Sequence, residues 1–119
     1  MANLNESLND LMSLEGALCA AVVDYNSGMM LASAGSGVDL ELAAAGNTEV
    51  VRAKMKTMKA LGLNDTIDDI LITLGKQYHI IRPSQRLSGI FVYYVLDNAR
   101  SNLALARRKV ADVEGKMSM

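Results

Sequence analysis

The spacing of apolar residues changes period several times along the chain, and each change marks an element. Leu4, Leu8, Leu11 and Met12 share one helical stripe, with Asn3 and Glu6 spaced as a cap and its return partner. This predicts a short amphipathic helix over residues 4–14 that ends near Gly16. GALCAAVVDY then alternates: Ala17, Cys19, Ala21 and Val23 face one side, and Leu18, Ala20 and Val22 the other. Both sets are apolar, as in a strand covered on both faces. YNSG is turn chemistry and GMMLASAG a second strand, so residues 17–34 form a hairpin. The glycines of SAGSG let the chain leave the sheet. They have neither the GxGxxG spacing nor a P-loop lysine, so no phosphate cradle is assigned to them.

A long helix is expected from residue 38 or 39 to 61. Its acids, Asp39, Glu41 and Glu49, lie early and its lysines, Lys54, Lys56 and Lys59, lie late, as the helix dipole favours. Leu40, Ala44, Val51, Met55 and Met58 form a core stripe, flanked by Ala43, Val50 and Leu61. Glu41, Glu49, Arg52, Lys56 and Lys59 are placed on the opposite arc. Beside the core stripe Gly46, Ala53 and Ala60 recur every seven residues, with Thr57 alongside. Small residues at that spacing suit close helix–helix approach, or contact with the domain's own sheet.

TIDDILITLG (66–75) reads as a third strand with one apolar and one mixed face, and QYHIIRP as a fourth that Pro83 ends. GIFVYYVL, apolar on both faces, reads as a central fifth strand. Ala99, Leu103, Ala106, Val110, Val113 and Met117 then trace one stripe of a last helix, which scatters Arg107, Arg108 and Lys109 over its outer side. The expected fold is α+β: one domain over residues 1–119, a single five-stranded antiparallel sheet flanked by three helices, in the order α-β-β-α-β-β-β-α.

Charge sharpens the picture without changing the class. The net charge of −1 and pI near 5.7 argue against a dedicated nucleic-acid binder. Residues 1–49 hold seven acids and no base, whereas residues 50–119 hold all twelve bases against six acids. Interleaved halves would neutralise each other, and separated ones would make a two-signed surface that steers a protein partner. The lone Cys19, in an apolar run, reads as a buried thiol of a reducing compartment. One Cys and one His fall short of a metal-ligand cluster. The absence of a signal peptide or an apolar run of spanning length makes a cytoplasmic protein without membrane insertion the expectation. His79 sits within a strand, no Ser or Cys lies in a nucleophile elbow, and neighbouring Asp68 and Asp69 point to opposite faces of a strand. No catalytic residue is assigned.

The element order, the hairpin GALCAAVVDYNSGMMLASAG and the join VLDNARSNLALARRKV together resemble the roadblock domains, named for dynein light chains and widespread in bacteria and archaea. In that join Asn102, Leu103, Leu105, Ala106 and Arg107 match the family's Asn-Leu-x-Leu-Ala-Arg. The resemblance spans roughly residues 4–117. It implies a profilin-like fold, no obligate cofactor, and a homodimer in which the second helix and third strand join two sheets into one. It also implies a scaffolding or regulatory role for a small Ras-like GTPase. The family's seam falls where the small residues recur, so the candidate dimer face is Gly46, Ala53, Thr57 and Ala60 with Asp69, Leu71 and Thr73 of the third strand. Arg107 and Arg108 are kept as candidate contacts to an acidic partner. Three readings stand: a non-catalytic dimeric module that binds or regulates a small Ras-like GTPase, a structural scaffold without a GTPase, and a small-ligand sensor whose support is the eight methionines.

Overall fold

A reciprocal cap opens the chain: Asn3 Oδ1 accepts from the Glu6 amide at 2.8 Å, and Glu6 Oε1 accepts from the Asn3 amide at 3.3 Å. The first helix, α1 (Leu4–Met12), follows, and the order continues through β1 (Ala17–Asp24), β2 (Met29–Gly35), α2 (Leu40–Ala60), β3 (Ile70–Thr73), β4 (Gln77–Pro83), β5 (Ile90–Asp97) and α3 (Leu103–Lys116). The computed structural model describes residues 2–119.

The five strands form one antiparallel sheet in the order β2-β1-β5-β4-β3. The strands that read as apolar on both faces, β1 and β5, are paired side by side and almost wholly buried. Alternation then splits their side chains between two cores. Ala20, Val22, Val92, Tyr94 and Leu96 pack beneath α1 and α3, against Leu8, Leu11, Ala106, Val110 and Val113. Cys19, Ala21, Val23, Phe91, Tyr93 and Val95 pack beneath α2, against Ala44 and Val51. Burial pushes the Cys19 thiol up from its ordinary value, partly offset by a hydrogen bond with the Val38 backbone. Tyr94 ties layers together, its buried hydroxyl donating to the Leu11 carbonyl at 2.6 Å.

Two boundaries differ from the sequence reading. The third strand is four residues rather than ten, because the approach to it is held by side chains from other elements: Arg82 Nη1 donates to the Asp68 carbonyl at 3.1 Å, and Arg107 holds the Asp69 carboxylate. Asp68 and Asp69 therefore precede β3 instead of alternating along it. The last helix begins at Leu103, so Ala99 lies outside it and is exposed. Asp97 accepts from the Ala99 amide and, through its carbonyl, from the Ser101 hydroxyl. This forms a turn before Asn102 accepts the Leu105 amide as the true cap.

Candidate interaction face

One helix covers one face of the sheet and two cover the other. A five-stranded sheet is about 24 Å wide at the usual strand spacing, and a helix about 10 Å across. α2 lies over β1 and β2. On that face the far side of the sheet is only partly covered: Ile70, Ile72 and His79 are half-buried. β3 itself pairs only with β4 and forms an open edge.

α2 is capped by Asp39, whose carboxylate accepts from the Leu42 amide at 3.2 Å, and ends at Gly62 with φ +72. Ala44, Thr48 and Val51 are its buried residues. Two residues further along a helix lie about 200° around it, so Ala53 points away from the sheet when Val51 points in. The small-residue strip is therefore opposite the core stripe, not beside it, and the charged arc of Glu41, Glu49, Arg52, Lys56 and Lys59 forms a flank. Gly46, Ala53, Thr57 and Ala60 are all exposed, so they make no contact with the domain's own sheet. Thr57 turns its hydroxyl back to the Ala53 carbonyl at 2.9 Å, leaving no unpaired donor on the strip. Large apolar residues frame the strip: Leu42 is 71% exposed, Val50 38% and Leu61 66%. Leu42 escaped the sequence reading, although it continues the strip four residues before Gly46.

The edge-strand candidates divide. Leu71 packs toward α1 and α3, Thr73 is exposed, and Asp69 stands one residue before β3. Asp69 is bound to Arg107 by two hydrogen bonds, Nε to Oδ2 and Nη2 to Oδ1, both 2.9 Å. This hydrogen bonding, with the charge of Asp69, raises the Arg107 pKa further. Two residues proposed for different partner surfaces thus hold each other. Arg108 stays exposed, and Lys109 pairs with Asp10. Among the described residues this last is the only one of three ion pairs that joins the acidic and basic halves of the chain.

The third ion pair is one the sequence hid. Glu114 sits among the apolar positions of α3, 3% exposed, accepting from Arg82 Nε at 3.1 Å and from Ser84 Oγ at 3.0 Å. Its signal was available, four residues after Val110, but a charged residue on a terminal helix reads as solvated. His79 faces α2's side of the sheet. Its Nδ1 lies 2.8 Å from Tyr93 Oη and its Nε2 2.8 Å from Gln77 Oε1. A neutral ring protonated on Nε2 satisfies both contacts, and burial lowers the His79 pKa. Burial also pushes the Tyr93 phenol up, against a hydrogen bond with Asn47 of α2. An open cleft of about 600 Å³ lies past the end of α2, walled by Tyr25, Met55, Met58, Leu63, Ile67 and Pro83. It is the place a small-ligand reading requires. Among the described residues no helix is long and apolar enough to cross a membrane.

No family model matches the sequence, and no curated protein matches it. Solved structures do match in shape. A Roadblock/LC7 domain from Streptomyces avermitilis superposes with a TM-score of 0.82 at 12% identity, over 97% of this chain and 94% of that one. Myxococcus xanthus MglB gives 0.83 at 21% identity, over 94% and 82%. The gliding protein MglB from Thermus thermophilus gives 0.69 at 17%, over 94% and 88%. One five-stranded antiparallel sheet with three helices, in the order α-β-β-α-β-β-β-α, matches these neighbours: the chain has the roadblock fold.

Proposed function

We propose that the chain is a non-catalytic, homodimeric interaction module that binds or regulates a small Ras-like GTPase. One observation carries the dimer: the outward face of α2 is a strip of small residues framed by Leu42, Val50 and Leu61, while at the far end of the same sheet face β3 is an open edge over half-buried residues. The strip is symmetric in size about Ala53, with Gly46 and Ala60 seven residues to either side. An antiparallel pair of α2 helices crossing at Ala53 would set Gly46 against the partner's small residues and bring Leu42 near the partner's Leu61 and Leu63. Pairing at β3 would lay the second α2 over the half-buried Ile70, Ile72 and His79. Such a two-helix layer is the surface on which a larger partner would sit.

The GTPase reading rests on fold likeness to MglB and on the charge asymmetry of the sequence, acids alone in residues 1–49 and all the bases in 50–119, which suits steered association with a charged protein. A module of this kind speeds hydrolysis by ordering the GTPase's own groups, so it needs no catalytic residue of its own. The test is a pull-down against a Ras-like GTPase encoded beside this chain, loaded either with a GTP analogue or with GDP. Preferential capture of one form supports regulation; equal capture of both, or of neither, contradicts it.

A further inference from the structure

The sheet has a second open edge, and it differs from β3 in each feature that governs pairing. β2 is seven residues long against four, and its sequence MMLASAG holds no charge and no proline. It pairs only with β1, and alternate residues along it, Met29, Leu31, Ser33 and Gly35, are exposed. Met29 is 66% and Leu31 41% exposed. Natural edges are blunted by brevity, lysine, proline or an inward charge. β2 has none of these; its one blunting device is a bulge at Leu31, which has no partner on β1 because Val22 pairs with Ala32 and Val23 with Met30. The backbone groups of its outer side are a template for another strand.

The surroundings say what kind of strand. Every ionised side chain in residues 1–49 is an acid. Asp24 stands opposite Met29 on β1, and Glu41 shares a shallow recess with Gly28, Met29 and Met30. Asp39 and Glu41, at the start of α2, are both exposed. Among the described residues no ion pair reaches Asp24, Asp39 or Glu41. A second copy of β2 would bring the same acids to the contact, so self-pairing here works against like charges.

We propose that the outer edge of β2 takes up an extended segment of another protein, alternating basic and apolar residues, as a sixth strand. Backbone hydrogen bonds hold it, its apolar side chains lie against Met29 and Leu31, and its basic ones, on the α2 side of the sheet, meet Glu41. This surface is remote from β3 in the strand order, so it stands or falls independently of the dimer.

The experiment uses a short synthetic peptide alternating lysine and valine, followed by fluorescence anisotropy and amide hydrogen exchange at near-physiological salt. The controls are the same peptide with glutamate for lysine, and a scrambled one that groups its lysines. The wild-type chain should bind the alternating peptide and slow amide exchange within Met29–Gly35. Leu31→Lys should weaken binding about tenfold or more, since about 1.4 kcal/mol is a factor of ten. Glu41→Lys, which leaves the strand untouched, should weaken it too, while Thr73→Lys on the other edge should not. Equal binding by the scrambled peptide, equal loss in Thr73→Lys, protection outside β2, or no binding would each overturn the proposal. A wild-type assembly larger than a dimer that Leu31→Lys dissolves would assign the edge to a second copy, and overturn it as well.

Discussion

Replacing Glu114 with alanine should cost the fold about 3 kcal/mol. The carboxylate is 3% exposed and takes hydrogen bonds from Arg82 Nε and Ser84 Oγ. Removing it leaves the Arg82 guanidinium, whose side chain is 18% exposed, without its counter-charge. Breaking one side of a buried pair costs about 3–5 kcal/mol. Arg82 keeps its bond to the Asp68 carbonyl, and Ser84 Oγ still accepts from the Leu87 amide at 2.9 Å, which places the loss at the lower end. Against a total of about 6–15 kcal/mol for a chain of this size, that is a fifth to a half of the stability. Urea unfolding followed by far-UV circular dichroism, at one fixed protein concentration, should show the midpoint falling by about 1–3 M with the slope unchanged. Glu114→Gln, which keeps the volume and one acceptor, should lose about 1–2 kcal/mol. The double variant Arg82→Met with Glu114→Leu should recover most of the loss, because removing both charges strands neither. A Glu114→Ala loss below about 1 kcal/mol, or a double variant as damaged as the sum of its singles, would refute the buried-pair reasoning.

Other consequences follow from single contacts. Tyr94→Phe should cost about 1 kcal/mol by removing the hydroxyl's bond to the Leu11 carbonyl, which keeps the Leu14 amide at 3.4 Å, measured by thermal unfolding. Burial first, and then the charge of Asp10, raise the Tyr94 phenol well above its unfolded value of about 10. The wild type should therefore lose stability as pH rises past that value, and Tyr94→Phe should lose less. The His79 shift has the opposite sense: its folded pKa is lowered, so its contribution is full above about 6.5 and declines as pH falls toward the folded value. His79→Gln should flatten that acid-side slope. Gly35 has φ +78, and an added methyl would collide with the Leu18 carbonyl oxygen and stand 2.8 Å from Cys19 Cα. Gly35→Ala should cost about 2–4 kcal/mol by chemical denaturation.

The hairpin and the central strands were legible because their signal is local: alternation with both faces apolar, interrupted by a glycine turn, admits one arrangement. The strip on α2 was legible as a seven-residue repeat, but its direction was not. Thr48 is buried and Leu42 and Val50 are exposed, so counting apolar residues rotates the inferred core face toward the wrong flank. The threonine is accommodated by donating to the Ala44 carbonyl at 2.7 Å, a bond that hydropathy does not register. The length of β3 was hidden for another reason. What ends its ladder on the N-terminal side is Arg82 and Arg107, 14 and 38 residues further along the chain from their partners Asp68 and Asp69. Glu114 likewise becomes intelligible only once Arg82 is brought to it from β4. The basic run at Arg107–Lys109, prominent in the sequence, is spent largely inside the domain: Arg107 on Asp69 and Lys109 on Asp10.

The dimer is tested most directly by the mass of the particle in solution. Light scattering at micromolar concentration should give twice the 12.8 kDa of the chain, and Ala53→Glu, which sets two carboxylates against each other at the centre of the strip, should return the single-chain mass with the fold intact. A wild-type mass of one chain would contradict the account, and a dimer indifferent to Ala53→Glu would remove the seam from α2.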